Sequence, residues 1–545
     1  MHKDVFEYLV DNRINCIYDS EKEEISISIV IEDEEYELIM KFPQYYPYTF
    51  PEIYIYKNID FILPHRYVNK RLCLYDENER LPRPEVYLEE ALETANRADQ
   101  LLRDSKNLKN LEDFNKEAVT YWNGRAKGRI DFVCENKSQT RILWGCQLIE
   151  EAYIVADNQE KIADFMSHSY GLPTEELKYE RVLIVNVGKV QIIGLKTIQD
   201  ILKLIKGQSD NRTFDRFIAS HSKGGLVIIN ADNGIGSCLF GVKISLVSHG
   251  FKINSLNIKG ILQANRTNKF TPFSVRDYSM ERLFTRGGDG TACFDKRCLL
   301  IGCGSVGSFL IKALIDIGIT KDIELVDNDI FSEDNIGRHL CGSNAILSNS
   351  KVQAVRKALL GQYPMLNCVA TNRNALDIFL NDVSYVENHD LICIAVGNAA
   401  MEKKIIELIK ERWITKECVI LWVEPYLVAG HALVFQNEIN EKTEENIFDT
   451  NGQFNNAVLL DGKKYLKSEA GCQSAYAPYA GFEVQKFVLD FVDCYYRTIY
   501  KKADKHNYSF TWLGKLRWAR QNDMEIKSEW RAKSDHFIEL KRIDI

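Results

Sequence analysis

The sequence predicts a multidomain chain of mixed α/β and α+β class, on three observations. Its 545 residues ask for three or four compact units at roughly 150 residues each. The segment ISISIVIEDEEYELIMKF alternates apolar and polar residues, the period of an antiparallel meander with one buried face. Farther on, KRCLLIG, a G-x-G-x-x-G loop, SFLIKALIDIGI and DIELVD read in order as strand, turn, helix and strand, a βαβ unit.

Composition bounds the function. With 45% hydrophobic and 27% charged residues, 31 Gly and 11 Pro, the chain is neither disordered nor fibrous. Lys plus Arg total 69 against 77 Asp plus Glu, a net charge of −8, the wrong sign for gripping nucleic-acid phosphates over a broad surface. The 14 cysteines are scattered through apolar runs such as LICIAV and ECVILWV, and no C-x-x-C pair occurs. That pattern predicts a reducing, cytoplasmic setting and no zinc. The start, MHKDVFEYLVDN, is too charged for a signal peptide, and no run approaches the ~18 apolar residues of a membrane span.

Residues 1–110 read as helix, meander, irregular loop and helix. Ile25, Ile27 and Ile29 face one way along a strand; YYPYTFPEIYIY makes an aromatic turn and a short strand; a loop then runs through HRYVNKRLCLYD. Beyond Glu85, Leu88, Ala91, Leu92, Ala95 and Leu102 form the apolar stripe of a helix. Residues 111–285 contain glycine-bounded apolar strands, RVLIVNVGKVQIIG and GGLVIINADNG, separated by helical patterns such as TIQDILKLIK. An α/β unit without a phosphate-cradling loop is expected there.

Residues 286–545 open on the sharpest signal. Gly302 permits the tight turn, Gly304 lets backbone amides approach a phosphate, Gly307 lets helix and strand pack closely, and Asp327 ends the next strand where a carboxylate reaches a ribose hydroxyl. SEDNIGRH then brings Asn335 and Arg338, and Lys351 opens an amphipathic helix. One amide and two cations over a triphosphate would stabilise an α-phosphorus attacked by a carboxylate, which is adenylation. Taken singly, Arg338 and Lys351 read equally well as solvated surface charges.

Residues 298 to about 400 resemble the adenylation domain of ubiquitin-activating (E1) enzymes and of the bacterial ThiF-type enzymes that activate sulfur carriers. The resemblance rests on G-x-G-x-x-G, an L-x-D-x-D strand end, S-x-x-N-x-x-R and the helix-opening Lys. It implies a Rossmann-like domain in which Gly302, Gly304, Gly307, Asp327, Asp329, Asn335, Arg338, Lys351 and Asn398 bind ATP with Mg2+. Where that family has a metal-binding Asp, LICIAVGNAAMEKK has Gly397 and Asn398, with Glu402 nearby. The first block resembles a ubiquitin-conjugating (E2, UBC) domain through Y-P-x-x-x-P, a strand, a histidine and the cysteine of RLCLYD. It implies Cys73 as a thioester-bearing nucleophile with His65 and Asn69 in support, and Asp76 as a residue that could polarise an incoming lysine; the usual H-P-N tripeptide is absent. Lys70, Arg71 and His65 flank the thiol and favour thiolate.

A second nucleophile is expected at Cys472 in EAGCQSAYAPYAG. It follows a polar stretch, NEINEKTEENIFDTNGQ onward, with the composition of a mobile loop, whereas Cys303 and Cys341 sit in tighter surroundings. Taken together, an E2-like block, an inactive Rossmann-like block and an E1-like block are similar to bacterial E1–E2 fusion proteins of CBASS antiphage operons. That resemblance implies activation of the C-terminus of a cGAS-like nucleotidyltransferase, transfer from Cys472 to Cys73 and on to target lysines, and a homodimer formed through the adenylation domains. Three rivals stand beside it: a sulfur-carrier adenylyltransferase without an E2 step, a nicotinamide-dependent oxidoreductase, and a non-catalytic scaffold.

Overall fold

A computed structural model describes the chain except at residues 58, 60, 62, 68, 77–79, 190–193, 207–210, 222, 233, 235, 248–256, 349, 451, 469–474, 503, 504 and 545. The chain folds into two compact units, Met1–Ile162 with Glu176–Asp277, and Ala163–Glu175 with Tyr278–Ile545.

The first unit begins with the helix His2–Asp11 and a four-stranded antiparallel meander, β1 (Cys16–Asp19), β2 (Glu24–Ile31), β3 (Glu34–Lys41) and β4 (Glu52–Ile55), in sequential order. The alternation seen in the sequence decides the buried face. Ile25, Ile27, Ile29 and Ile31 lie at 5% exposure or less and pack with Leu38, Met40 and Ile53 against Val5 and Leu9 and the helix Tyr87–Lys106. Of that helix's stripe, Ala91, Ala95 and Leu102 are fully buried, and Leu88 and Leu92 close the margin.

Two short helices, Leu111–Lys116 and Ala118–Asn123, lead into the second half of this unit. There the expected open Rossmann-like sheet does not form. Strands β5 (Gly128–Val133), β6 (Arg141–Ile149), β7 (Ala152–Ala156), β8 (Tyr179–Lys189), β9 (Gly224–Asp232), β10 (Ser237–Ser245) and β11 (Thr271–Asp277) close into a barrel of order β10-β11-β5-β7-β6-β8-β9. Its filling comes from all of these strands: Ile130, Phe132, Leu143, Tyr153, Ile184, Ile228, Leu239 and Phe273, among others. The alternate residues Leu183, Val185, Val227, Ile229 and Phe240 pack outward under the helices Ile198–Lys206, Asn211–Ser220 and Ile258–Ala264. A strand buried on both faces reads as a continuous apolar run whether its sheet stays open or closes, so the sequence pattern does not separate the two.

The second unit carries an eight-stranded sheet of order β14-β13-β12-β15-β16-β17-β20-β21. Its parallel half is β12 (Lys296–Ile301), β13 (Thr320–Val326), β14 (Asn367–Thr371), β15 (Leu391–Ile394) and β16 (Glu417–Val423). Antiparallel strands β17 (Ala429–Phe435), β20 (Tyr508–Leu513) and β21 (Ile538–Arg542) extend it, and a separate pair, β18 (Lys467–Ser468) and β19 (Ala475–Tyr476), lies outside it. The strand order reverses at β12, with β13 on one side and β15 on the other, and the crevice at such a switch point is where open α/β sheets bind ligands. Alternate residues of β12 and β15 serve opposite faces. Leu299, Ile301, Ile392 and Ile394 meet the helix Ala399–Lys410, while Cys298 and Cys393 face each other, Sγ to Sγ 3.9 Å, as free thiols.

The polar stretch expected as a mobile loop is built into this unit. Asn440 caps the helix Glu441–Ile447, accepting from Thr443 N–H. Farther on, the buried Glu424 carboxylate accepts from Val458 N–H at 2.6 Å and Leu459 N–H at 2.8 Å while pairing with His431 at 2.8 Å. Local polar composition gave no sign of a carboxylate that lies upstream in the chain.

Because Phe132 is fully buried among residues of every barrel strand, Phe132→Ala is expected to cost the first unit about 3–5 kcal/mol, read as a lower denaturant midpoint for that unit's transition.

Candidate functional site

Strand β12 ends at Ile301 and the chain turns at Gly302, whose φ of +95° belongs to the left-handed region that favours glycine. A Cβ there would also stand 2.6 Å from the Ala395 carbonyl oxygen at the end of β15. At Gly307, inside the helix Ser305–Asp316, a Cβ would lie 1.9 Å from the Gly302 carbonyl oxygen. The two glycines therefore serve different ends, one turning the chain and the other admitting the helix against the strand. The helix N-terminus, with Gly304 at its cap, opens onto the switch-point crevice with its unpaired amides and positive potential.

Asp327 fixes the loop. Its Oδ2 accepts from Cys303 N–H at 2.7 Å and its Oδ1 from Asp329 N–H at 2.8 Å, so one carboxylate joins the glycine turn to the end of β13. Lys351, the first residue of the helix Lys351–Gln362, pairs through Nζ with Asp329 Oδ2 at 2.7 Å. A cavity of about 350 Å³ is lined by Gly302, Gly304, Asp327, Asp329, Lys351 and Asn398 together with Asn374 and Met401. Six residues singled out in the sequence thus meet at one place. Asn374 went unnoticed; it caps a helix from the other side of the crevice, accepting from Leu376 N–H at 2.9 Å. Asn398 caps the helix Ala399–Lys410 in the same manner, accepting from Ala400 and Met401.

Asn335 and Arg338 are placed differently. The Asn335 carboxamide oxygen accepts from Ser332 N–H at 3.0 Å, an N-terminal cap for the turn Glu333–Ile336. Arg338 donates to the Ala477 carbonyl at 3.4 Å and lies 5.1 Å from the Tyr479 ring centroid, and Tyr479 OH reaches Ser305 Oγ at 3.4 Å. Next in sequence, His339 accepts from Cys341 N–H through Nδ1 and donates from Nε2 to the Cys303 carbonyl at 2.7 Å, with burial holding its pKa below the ordinary value. A neutral imidazole of fixed tautomer therefore ties the Arg338 segment to the glycine turn. Cys472 lies outside the described residues. On either side of it, Ser468 pairs with Ala475 and Lys467 with Tyr476, and farther on Tyr426 N–H donates to the Pro478 carbonyl at 2.5 Å.

The described thiols separate by environment. Burial pushes Cys341 up to about 12 and Cys303 well above the ordinary value, which disqualifies both as nucleophiles. Cys73 moves the other way. The His65 side chain is the largest cause of its lowered pKa, burial opposes it, and Tyr67, whose hydroxyl lies 3.5 Å from Sγ, adds to the lowering. The Cys73 amide donates to the His65 carbonyl at 2.6 Å, which fixes the two residues against each other. His65, with φ +57°, is held by Glu117: Oε2 takes its backbone N–H at 2.5 Å and Oε1 its Nδ1 at 2.6 Å. The contact with Cys73, then Glu117, raises the imidazole to about 10, so it is charged at neutral pH.

Of the flanking cations, Arg71 is committed to Glu52 and to the face of Tyr67, its guanidinium 4.6 Å from the ring centroid. Asn69 accepts from Arg71 N–H at 3.2 Å and so engages its own turn, and Asp76 is exposed. A shallow cavity of about 140 Å³ beside the sulfur is lined by Pro43, Phe50, Pro51, Tyr67 and Tyr75 among others. Glu117 is the residue that sequence reading missed, because it belongs to the block assigned to the next domain and no local spacing connects it to the thiol.

Glu402, weighed in the sequence as standing near a metal position, is 2% exposed, has an Oε1 without a hydrogen-bond partner and is pushed by burial up to about 7. A half-protonated buried carboxyl is a poor magnesium ligand. Among the described residues no three His, Cys, Asp or Glu side chains gather as a metal cage. Also among the described residues, no helix is long and apolar enough to cross a membrane.

Residues 282–459 match the family model of the ThiF family. Similar solved structures include PaaA, 15% identical over 46% of this chain and 64% of that one, with a TM-score of 0.31. Escherichia coli MccB with ATP is 14% identical over 46% and 63% of the two chains, at a TM-score of 0.29. The same enzyme with MccA-N7isoASN is 12% identical over 46% and 64%, also at 0.29. The chain thus spans under two thirds of the length of these structures. The match to the ThiF family lies within its C-terminal half.

The raised pKa of Glu402 carries a signed prediction. The folded state holds this proton more tightly than the unfolded chain, so stability falls as pH rises from the ordinary 4.5 to about 7, and the cost is complete above that. Glu402→Gln is therefore expected to gain about 1–3 kcal/mol at pH 8 and little at pH 4, measured by denaturant unfolding at both pH values.

Proposed function

We propose that this protein uses ATP to adenylate the C-terminal carboxylate of a protein substrate and passes the acyl group through two thiols to an amine. The observation that carries the first step is the convergence of the glycine turn, Asp327, Asp329 and Lys351 on one crevice, within the segment that matches a family of adenylyltransferases. Backbone amides of the turn and the helix N-terminus hold phosphate, Asp327 holds the loop and faces the ribose, and Lys351 supplies charge toward the triphosphate. Arg338 joins them by leaving Ala477. Magnesium entering with ATP would neutralise phosphate charge and be held by phosphate oxygens and Asp329, because both oxygens of Asp327 are engaged by backbone N–H groups.

The substrate carboxylate attacks the α-phosphorus, pyrophosphate leaves, and an acyl adenylate forms. The Cys472 thiolate then attacks the acyl carbon and AMP leaves. The Cys73 thiolate attacks the resulting thioester and releases Cys472. Finally a lysine amine takes the acyl group, loses a proton and frees Cys73. Support for the relay is the contrast between Cys73, whose surroundings favour thiolate, and the buried thiols of the second unit. In this reading, which rests here on the sequence resemblance to E1–E2 fusion proteins, the substrate is a cGAS-like nucleotidyltransferase in antiphage defence and the working form is a homodimer.

Arg338→Ala is expected to lower ATP–pyrophosphate exchange by ~10²–10³; wild-type exchange would remove Arg338 from the site. With ATP and substrate, Cys73→Ala is expected to retain a reductant-labile adduct at Cys472 on non-reducing gels and to transfer nothing to lysine. Full transfer without Cys73 would leave an adenylyltransferase lacking the conjugating step.

A further inference from the structure

We propose that Glu117 is the positioning residue of the Cys73 thiol, acting through His65 inside the N-terminal block. The inference rests on the reading of Cys73 as an acyl carrier and adds how its sulfur is activated. Glu117 stands between the helices Leu111–Lys116 and Ala118–Asn123, far along the chain from the loop that bears the thiol. Its two oxygens are divided between the two donors that define His65's position, the backbone N–H and the ring Nδ1. A carboxylate gripping both fixes the left-handed backbone at His65 and the plane of its ring together. Asp113, 3.7 Å from Nε2, adds a second negative charge on the same side. The residue held this way accepts the Cys73 amide on its carbonyl at 2.6 Å, and its side chain is the largest cause of the lowered thiol pKa. The thiolate therefore forms near a ring whose positive charge Glu117 and Asp113 already balance.

The groups facing the sulfur are His65, Tyr67 and, at longer range, Glu117, with Arg71 facing Tyr67. Glu117 acts on the sulfur in two opposite senses. As a bare negative charge it disfavours thiolate; as the holder of His65 it favours it. The two roles predict opposite signs when its charge is removed.

The test is the pH dependence of Cys73 alkylation by iodoacetamide in the full-length protein, followed by mass spectrometry of the Cys73 peptide. A bond forms from sulfur to the acetamide carbon and iodide leaves, so neither ATP nor protein substrate is involved, and the result stands apart from the fate of the conjugation reading. Wild-type protein is expected to show a midpoint below the ~8.5 of an ordinary thiol; a midpoint at or above that value overturns the proposal without any variant. Glu117→Gln is expected to raise the midpoint by about one unit and slow labelling about tenfold at pH 6, while Glu117→Asp recovers part of the rate. In a His65→Gln background the same change should leave the rate unchanged or raise it. Faster labelling of Glu117→Gln with His65 intact would reduce Glu117 to a nearby charge and overturn the proposal.

Discussion

The switch-point crevice depends on one close approach. Helix Ser305–Asp316 can lie against β12 only because Gly307 has no side chain where the Gly302 carbonyl passes. That contact aims the helix N-terminus at the switch point, and the Asp327 carboxylate then holds the turn by accepting from Cys303 and Asp329. The remaining cavity residues come from other strand ends, so their chemistry is set by where the chain leaves the sheet. An added methyl group at Gly307 would separate strand from helix and misplace every donor at once.

The legible parts of the sequence were those in which local period and global burial agree. Ile25, Ile27 and Ile29 point inward because alternation and a one-sided sheet demand the same face. Lys351 opens its helix as its pattern indicated, and the glycine spacing located the turn. The barrel was illegible because apolar runs say that a strand is buried and do not say on which neighbours. Asn335 has a local duty that its motif did not announce: a polar residue can serve the backbone, and here it caps a turn. Glu117 and Tyr479 act across long stretches of chain, where one sequence offers no spacing to read.

The molecule also shows how one element is given opposite properties. Cys303, Cys341 and Cys418 are buried, and desolvation keeps their protons on. Cys73 is only half-buried and is met by a cationic ring and a phenol hydroxyl. The difference lies in partners as much as in exposure, since burial at Cys73 acts against the thiolate and is outweighed.

Arg338 connects the glycine helix to a distant part of the chain. Its guanidinium joins the carbonyl of Ala477 and the ring of Tyr479, and that tyrosine in turn touches Ser305 at the head of the glycine helix. The stretch just downstream of Cys472 is thereby moored to the head of the glycine helix. One side chain thus works as a rivet, joining two stretches of chain more than a hundred residues apart.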